Sequence, residues 1–338
     1  MAYQEYSINA ITDIPAIVST FASSLGWNVP DTNTLRHPNY EGAGPGGLAF
    51  KLTADIDGLN HSLRWTCATP PYNTKSAVLR SPIFSTVAAP TVGVTQTPTK
   101  LFLISRLEPE PYIAIVVEYG YNLYRHLYFG FMEKIGNYTG GEVIASSNGN
   151  VGQTVYDTRL WYDDGGATYP GCHYLFRRYN SVWSQDASGG VHLEHADNAN
   201  KWRHFRRSTT ITGVENWGVA FDGTDALGGF GDSFNDLYVA KGKNALAGAS
   251  VLTPINLLVS QPVTGDARFI PIGCPTGVRM INIEELEAQS VAEVGGETWY
   301  VFAAHRKTND LYTRGPTNSY RYPVSESSYY LGYAYRGD

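Results

Sequence analysis

The sequence predicts a mainly β protein, with sandwich or barrel-like sheets and one short N-terminal amphipathic helix. Three observations carry that prediction. The chain of 338 residues is 43% hydrophobic and only 17% charged, which is enough apolar material for a large buried core. Its 24 Tyr and 7 Trp, set against 35 Gly and 3 Met, suit strands joined by tight turns better than packed helices. Finally, the stretch from Tyr119 to Gly141 reads YGYNLYRHLYFGFMEKIGNYTGG. In it Tyr124, Leu127, Phe129 and Phe131 fall among Arg125, His126, Tyr128 and Gly130, and Gly136-Asn137 and Gly140-Gly141 close it off. This is the pattern of a long aromatic strand at the middle of a β-scaffold.

Taken in order, a polar strand opens the chain. Ile14, Ile17, Val18, Phe21, Ala22 and Leu25 then recur at helical spacing, with Thr12-Asp13 as a cap and Gly26 as a stop. The apolar stripe of this helix is expected to pack on a sheet. From Trp27 to Pro111 the pattern shortens to strands. GLAFKLTADIDGLNHSLRWTCAT alternates on both sides of Asp57-Gly58, a two-residue hairpin signal. Pro70 to Lys100, with proline at 70, 71, 82, 90 and 98, reads as an extended loop of the length that often contacts partners. LFLISRLEPEPYIAIVVEYGYNLYRHLYFGFMEKIG follows as two or three long strands, with Pro109 and Pro111 limiting the first.

Between Gly140 and Gly190 the chain turns rich in Gly, Asn, Asp and Ser, which is the softest candidate boundary. The division expected there is residues 1–140, a helix plus β domain, and residues 141–338, a second β-rich region, unless the two form one domain. Past it, CHYLFRRYNSVW, KWRHFRRSTTI, NWGVAFDG, FNDLYVAKG, RFIPIG and TWYVFAAHRK are strand-like, without a fixed repeat. NIEELEAQSVAEV, Asn282 to Val294, predicts a short helical turn.

A net charge of -6 argues against a nucleic-acid-binding domain, which normally carries a basic excess. Cys67, Cys172 and Cys274 lie about a hundred residues apart without CxxC spacing, so the expectation is reduced core thiols, with neither a zinc site nor a disulfide framework. MAYQEYSINA has no basic or apolar leader region, and no apolar run reaches the roughly 18 residues of a bilayer span. Synthesis in a cytoplasm, with no membrane partner, is therefore expected.

No GxSxG, no Walker GxxxxGK[ST] and no dinucleotide GxGxxG stands before a helix, and GGFGDS at 228–233 reads as a flexible loop. Asp163 with Asp164, Asp222 with Asp225, and Glu108 with Glu110 supply paired carboxylates of the kind glycoside hydrolysis uses, but they sit beside Gly or Pro as ordinary turn residues. His192, Glu194, His195 and Asp197 lack the HExxH spacing, so they read as a polar surface loop and no metal or cofactor is expected. The run KWRHFRR, Lys201 to Arg207, packs four cations, a histidine and two aromatics into seven residues. Its functional reading is a contact ribbon, with Trp202, Arg203, Phe205, Arg206 and Arg207 gripping an acidic partner surface or a phosphate-bearing glycan through bidentate guanidinium bonds, a protein partner being expected before a nucleic acid. Its plainer reading is an edge strand protected by charge.

Several segments recur in a recognisable order: the helix ending in SLGWNV; RHLYFGFMEKIGNYTGG; VLTPINLL with IPIGCPTGVRMINIEEL; and GGETWYVFAAHRK followed by YYLGYAYR. This succession resembles virion structural proteins of tailed bacteriophages, of the tail and baseplate type. The resemblance implies a structural, non-enzymatic component that resides in the virion, touches other tail proteins and forms a ring or trimer with its own copies. The rival expectation is a host-glycan-binding adhesin or polysaccharide depolymerase, since exposed Tyr and Trp also stack on sugar rings.

Overall fold

The computed structural model describes residues 3–31, 33–36, 50–57, 60–67, 76–80, 98–118, 122, 124–136, 140–146, 190–195, 201–204, 219–220, 243–244, 249–255, 257–263, 266–283, 285–304 and 331–337. Strand β1 (Tyr3–Ser7) leads through a 3-10 turn at Ile11–Asp13 into helix α1 (Ile14–Ser24). Ile14, Val18, Phe21 and Ala22 are buried along one stripe, as their spacing predicts. The helix ends in a Schellman motif: Gly26, at φ +97°, donates to Ser23, and Trp27 donates to Ala22. The cap differs from expectation. The Asp13 carboxylate turns back to the Ala10 N–H at 3.2 Å instead of bonding the helix, and Pro15 in the first turn leaves one fewer donor to satisfy.

Five strands form the N-terminal sheet in sequence order: β2 (Asn28–Asp31), β3 (Thr34–Arg36), β4 (Phe50–Asp57), β5 (Asn60–Cys67) and β6 (Ser76–Arg80). Asp57 pairs with Asn60, so the hairpin connection is residues 58 and 59, one position later than Asp57-Gly58 suggests. Strand β6 corrects the reading of Pro70 to Lys100 as a continuous loop. Its residues SAVLR carry enough aliphatic character to pair antiparallel with β5, and only the flanking prolines suggested otherwise.

Strands β7 (Lys100–Arg106), β8 (Tyr112–Glu118), β9 (Tyr124–Lys134), β10 (Gly140–Ser146), β11 (Gly190–His195) and β12 (Lys201–His204) follow one another in the central sheet, with β1 outside β7. Pro111 ends the pairing of β8 with β9, because the ladder has lost a donor there. The rest of β9 is taken up by a later strand. After β13 (Val219–Ala220) and the pair β14 (Lys243–Asn244) and β15 (Ala249–Ser250) come β16 (Thr253–Pro254), β17 (Leu257–Val263) and β18 (Asp266–Pro275). Strand β17 joins β13 to β18, and Gly273, Cys274 and Pro275 of β18 pair with Lys134, Glu133 and Met132 of β9.

The turn at Thr276 and Gly277 then carries the chain into the C-terminal sheet. Its strands β19 (Val278–Asn282), β20 (Gln289–Val294), β21 (Glu297–Ala303) and β22 (Leu331–Arg336) complete the order β16-β19-β22-β21-β20. The helical turn expected in Asn282 to Val294 shrinks to one bond from the Leu286 N–H to the Ile283 carbonyl. The remainder is β20, where pairing along the whole of β21 outweighs the helix preference of Glu and Ala.

The described strand orders are open paths, so the sandwich arm of the prediction holds and the barrel arm does not. The layers are three. Leu101, Leu103, Ile113, Ile115, Val117, Leu127 and Phe129 point from the central sheet into one core with α1 and the N-terminal sheet. Phe102, Ile104, Tyr112, Ala114, Val116, Tyr124 and Tyr128 point the other way, into a second core with Val278, Met280, Phe302, Tyr333 and Tyr335. That second core joins residues from both sides of position 140. Both faces of the aromatic strand are thus buried, polar residues included: Arg125 is 1% exposed on one side and His126 is fully enclosed on the other.

Candidate interaction surface

The segment CPTG, within the run that carries the resemblance, is fixed by tyrosines of the central sheet. Tyr112 and Tyr128 stack at 5.8 Å between ring centres. Tyr128 donates to the Thr276 carbonyl at 2.8 Å, and Tyr112 donates to the Arg336 carbonyl on β22. Gly277 sits at φ +65°, and a Cβ there would lie 2.1 Å from the Tyr112 ring. Only glycine satisfies both demands. Beside the turn, Arg279 of β19 meets the Glu133 carboxylate of β9 with two 3.2 Å bonds and lies 5.8 Å from the Trp299 ring. Cys274, just before the turn, is buried, and burial pushes its pKa up. That is the inert core role expected of it.

His126 bridges the same two layers. Its Nε2 lies 2.9 Å from the Ala303 carbonyl of β21, and its Nδ1 lies 2.8 Å from the Tyr335 hydroxyl of β22. Burial drives its pKa from 6.5 to about 3; the Ala303 bond opposes the shift and the charge of Arg125 adds to it. The Tyr335 and Tyr128 phenols are raised for the same leading reason, burial. At the edge of this core Tyr3 of β1 stacks flat on Tyr300 of β21, 3.9 Å apart, and burial, then Glu5 and Tyr300, push its phenol to about 12. These groups hold layers together, and their shifts come from packing.

The outward-facing features are of another kind. Strand β20 ends the described C-terminal sheet, and on it Val291 is 59% and Val294 47% exposed; Ile135 and Val251 are exposed to a similar degree. The basic ribbon begins on β12, which ends the described path of the central sheet. Trp202 stands opposite Glu194 of β11, and Arg203 opposite Leu193. Phe205, Arg206 and Arg207 lie outside the described residues, as do Asp163, Asp164, Asp197, Asp222 and Asp225. His192, Glu194 and His195 fall on β11, and the register sets His192 opposite His204. Among the described residues no group of three His, Cys, Asp or Glu is placed to hold a metal, and no helix is long and apolar enough to cross a membrane.

Sequence reasoning missed the valines of β20 by reading them as part of a helical turn. The signal available was the Gly295-Gly296 pair between QSVAEV and the strand-like ETWYVFA, a two-residue hairpin pattern. Comparison of the chain with protein-family models and with curated proteins gives no match.

Proposed function

We propose that this protein is a structural subunit of a tailed-phage virion, at the tail baseplate or neck, whose work is to be held by neighbouring subunits and by copies of itself. The observation that carries the reading is the exposure of Val291 and Val294 on β20, the strand that ends the described path of the C-terminal sheet. A lone protein normally covers such aliphatic residues or surrounds them with charge, and on β20 Glu293 is the single charge beside them. The order of segments from SLGWNV to YYLGYAYR supports placing the subunit in a phage tail, and the low charged fraction suits large polar-rimmed contacts.

The basic ribbon of Trp202, Arg203, Phe205, Arg206 and Arg207 is assigned to a second contact, toward an acidic neighbour. The experiment is a measurement of mass in solution, followed by incorporation into particles. The wild-type chain is expected to form a closed ring or trimer and to enter particles, whereas R206E/R207E stays folded and is left out. Normal incorporation of that variant rejects the ribbon as a contact. A monomer that releases reducing sugar from a host polysaccharide overturns the structural reading in favour of the depolymerase.

A further inference from the structure

We propose that His126 is an acid-released latch: its neutral imidazole fastens the C-terminal sheet to the central sheet, and protonation of the exposed ring holds the two layers apart. The bond pattern fixes the chemistry. A carbonyl oxygen only accepts, so the 2.9 Å contact with Ala303 requires the hydrogen to be on Nε2. Nδ1 is then a bare acceptor, and the Tyr335 hydroxyl donates to it at 2.8 Å. Both bonds leave β9 and end on the other layer, one on β21 and one on β22. A second proton, on Nδ1, would set N–H against O–H, so the Tyr335 hydrogen would have to swing away and its oxygen accept instead, with a full positive charge enclosed between the layers.

Among the described residues, the charge that bears on the ring opposes that proton. On the same strand Arg125 brings a like charge. On β8 the charged group is Glu118, at the strand end where it pairs with Tyr124, and on β7 the charged groups are Lys100, tied to Glu5 at 2.7 Å, and Arg106 at the opposite end of the strand. Strands β21 and β22 bring phenols, Tyr300, Tyr333 and Tyr335, which stay neutral at and below pH 7.5, and one ion pair, Glu297 with Arg336 at 2.8 Å. The ring therefore binds a proton readily only when the layers separate and water reaches it.

The sign follows from the two affinities. Closed, the ring holds its proton only near pH 3; exposed, it does so near 6.5. The latch is at full strength above about pH 6.5 and weakens steadily as the pH falls toward 3. Between pH 7.5 and 5.5, a window above the ordinary carboxylate range, the open population rises roughly tenfold.

Hydrogen–deuterium exchange on the full chain at those two pH values, corrected for intrinsic exchange, tests this. Protection of the β21 and β22 amides should fall about tenfold while that of α1 and β4 stays constant. In H126Q, which keeps a donor and does not titrate, β21 and β22 should lose that pH dependence. The wild type suffices if H126Q does not fold: nitrogen chemical shifts of the His126 ring should report an Nε2–H tautomer that does not titrate between pH 7.5 and 5.5. Constant protection of β21 and β22, an Nδ1–H ring, or titration near 6.5 in the closed protein overturns the latch.

Discussion

The two faces of β7, β8 and β9 are built from alternate residues of the same three strands, yet they bind their neighbours by different physics. The face toward the N-terminal layer is largely aliphatic: Leu101, Leu103, Ile113, Ile115, Val117 and Leu127 around Phe129, which stacks on Phe50 at 3.8 Å and takes the edge of Trp27 at 5.3 Å. Arg125 is the exception on that side. The opposite face carries Tyr112, Tyr124, His126 and Tyr128, and three of these reach across to named acceptors or donors on the C-terminal side. The first face holds by area, which is forgiving of shape. The second holds by direction, which fixes one register and leaves buried polar groups exposed to loss if a partner is removed.

The largest expected effect is on the aliphatic side. Phe129→Ala removes a ring enclosed by Phe50 and Trp27 and should cost about 3–5 kcal/mol of unfolding free energy in urea titrations. A loss under about 1 kcal/mol would mean that this core refills freely. On the directional side Gly277→Ala is next. The added methyl meets the Tyr112 ring, and φ +65° strains any side chain, so about 2–4 kcal/mol should be lost. The loss should fall on the C-terminal layer, read as faster amide exchange in β19 and β22 than in α1. Equal change in both layers would show that the two cores do not respond separately.

The parts of the fold that could be read from the sequence are those with a single clear period. The stripe from Ile14 to Leu25, the helix stop at Gly26 and the strands from Leu101 to Lys134 all have the predicted place, because local pattern and tertiary contact agree there. The third layer was hidden by amphipathic residues. Tyr128 and His126 could be read as part of an aromatic strand, but their partners Thr276, Ala303 and Tyr335 lie some 150 to 210 positions later. Sequence carries no sign of such distant partners. β6 was obscured by its prolines and β20 by the helix preference of Glu and Ala, and in each case strand pairing decided the outcome. The ribbon at Lys201 was legible as strand, and its first four residues form β12.

The smallest change is the sharpest comparison, because Tyr128→Phe and Ile115→Val each remove little and keep the shape of the side chain. Tyr128→Phe deletes one oxygen and leaves the buried Thr276 carbonyl without that donor, which should cost about 1–3 kcal/mol. Ile115→Val deletes one methyl from the face where neighbours are aliphatic, and should cost about 0.5–1.5 kcal/mol. Urea midpoints of the two variants rank the faces directly. If the methyl matters more than the hydroxyl, the C-terminal layer is held by area like the other, and its tyrosines are aromatic filling whose hydroxyls happen to find carbonyls. If the hydroxyl matters more, the register of the CPTG turn depends on that bond, and the outward edge at β20 is positioned through it.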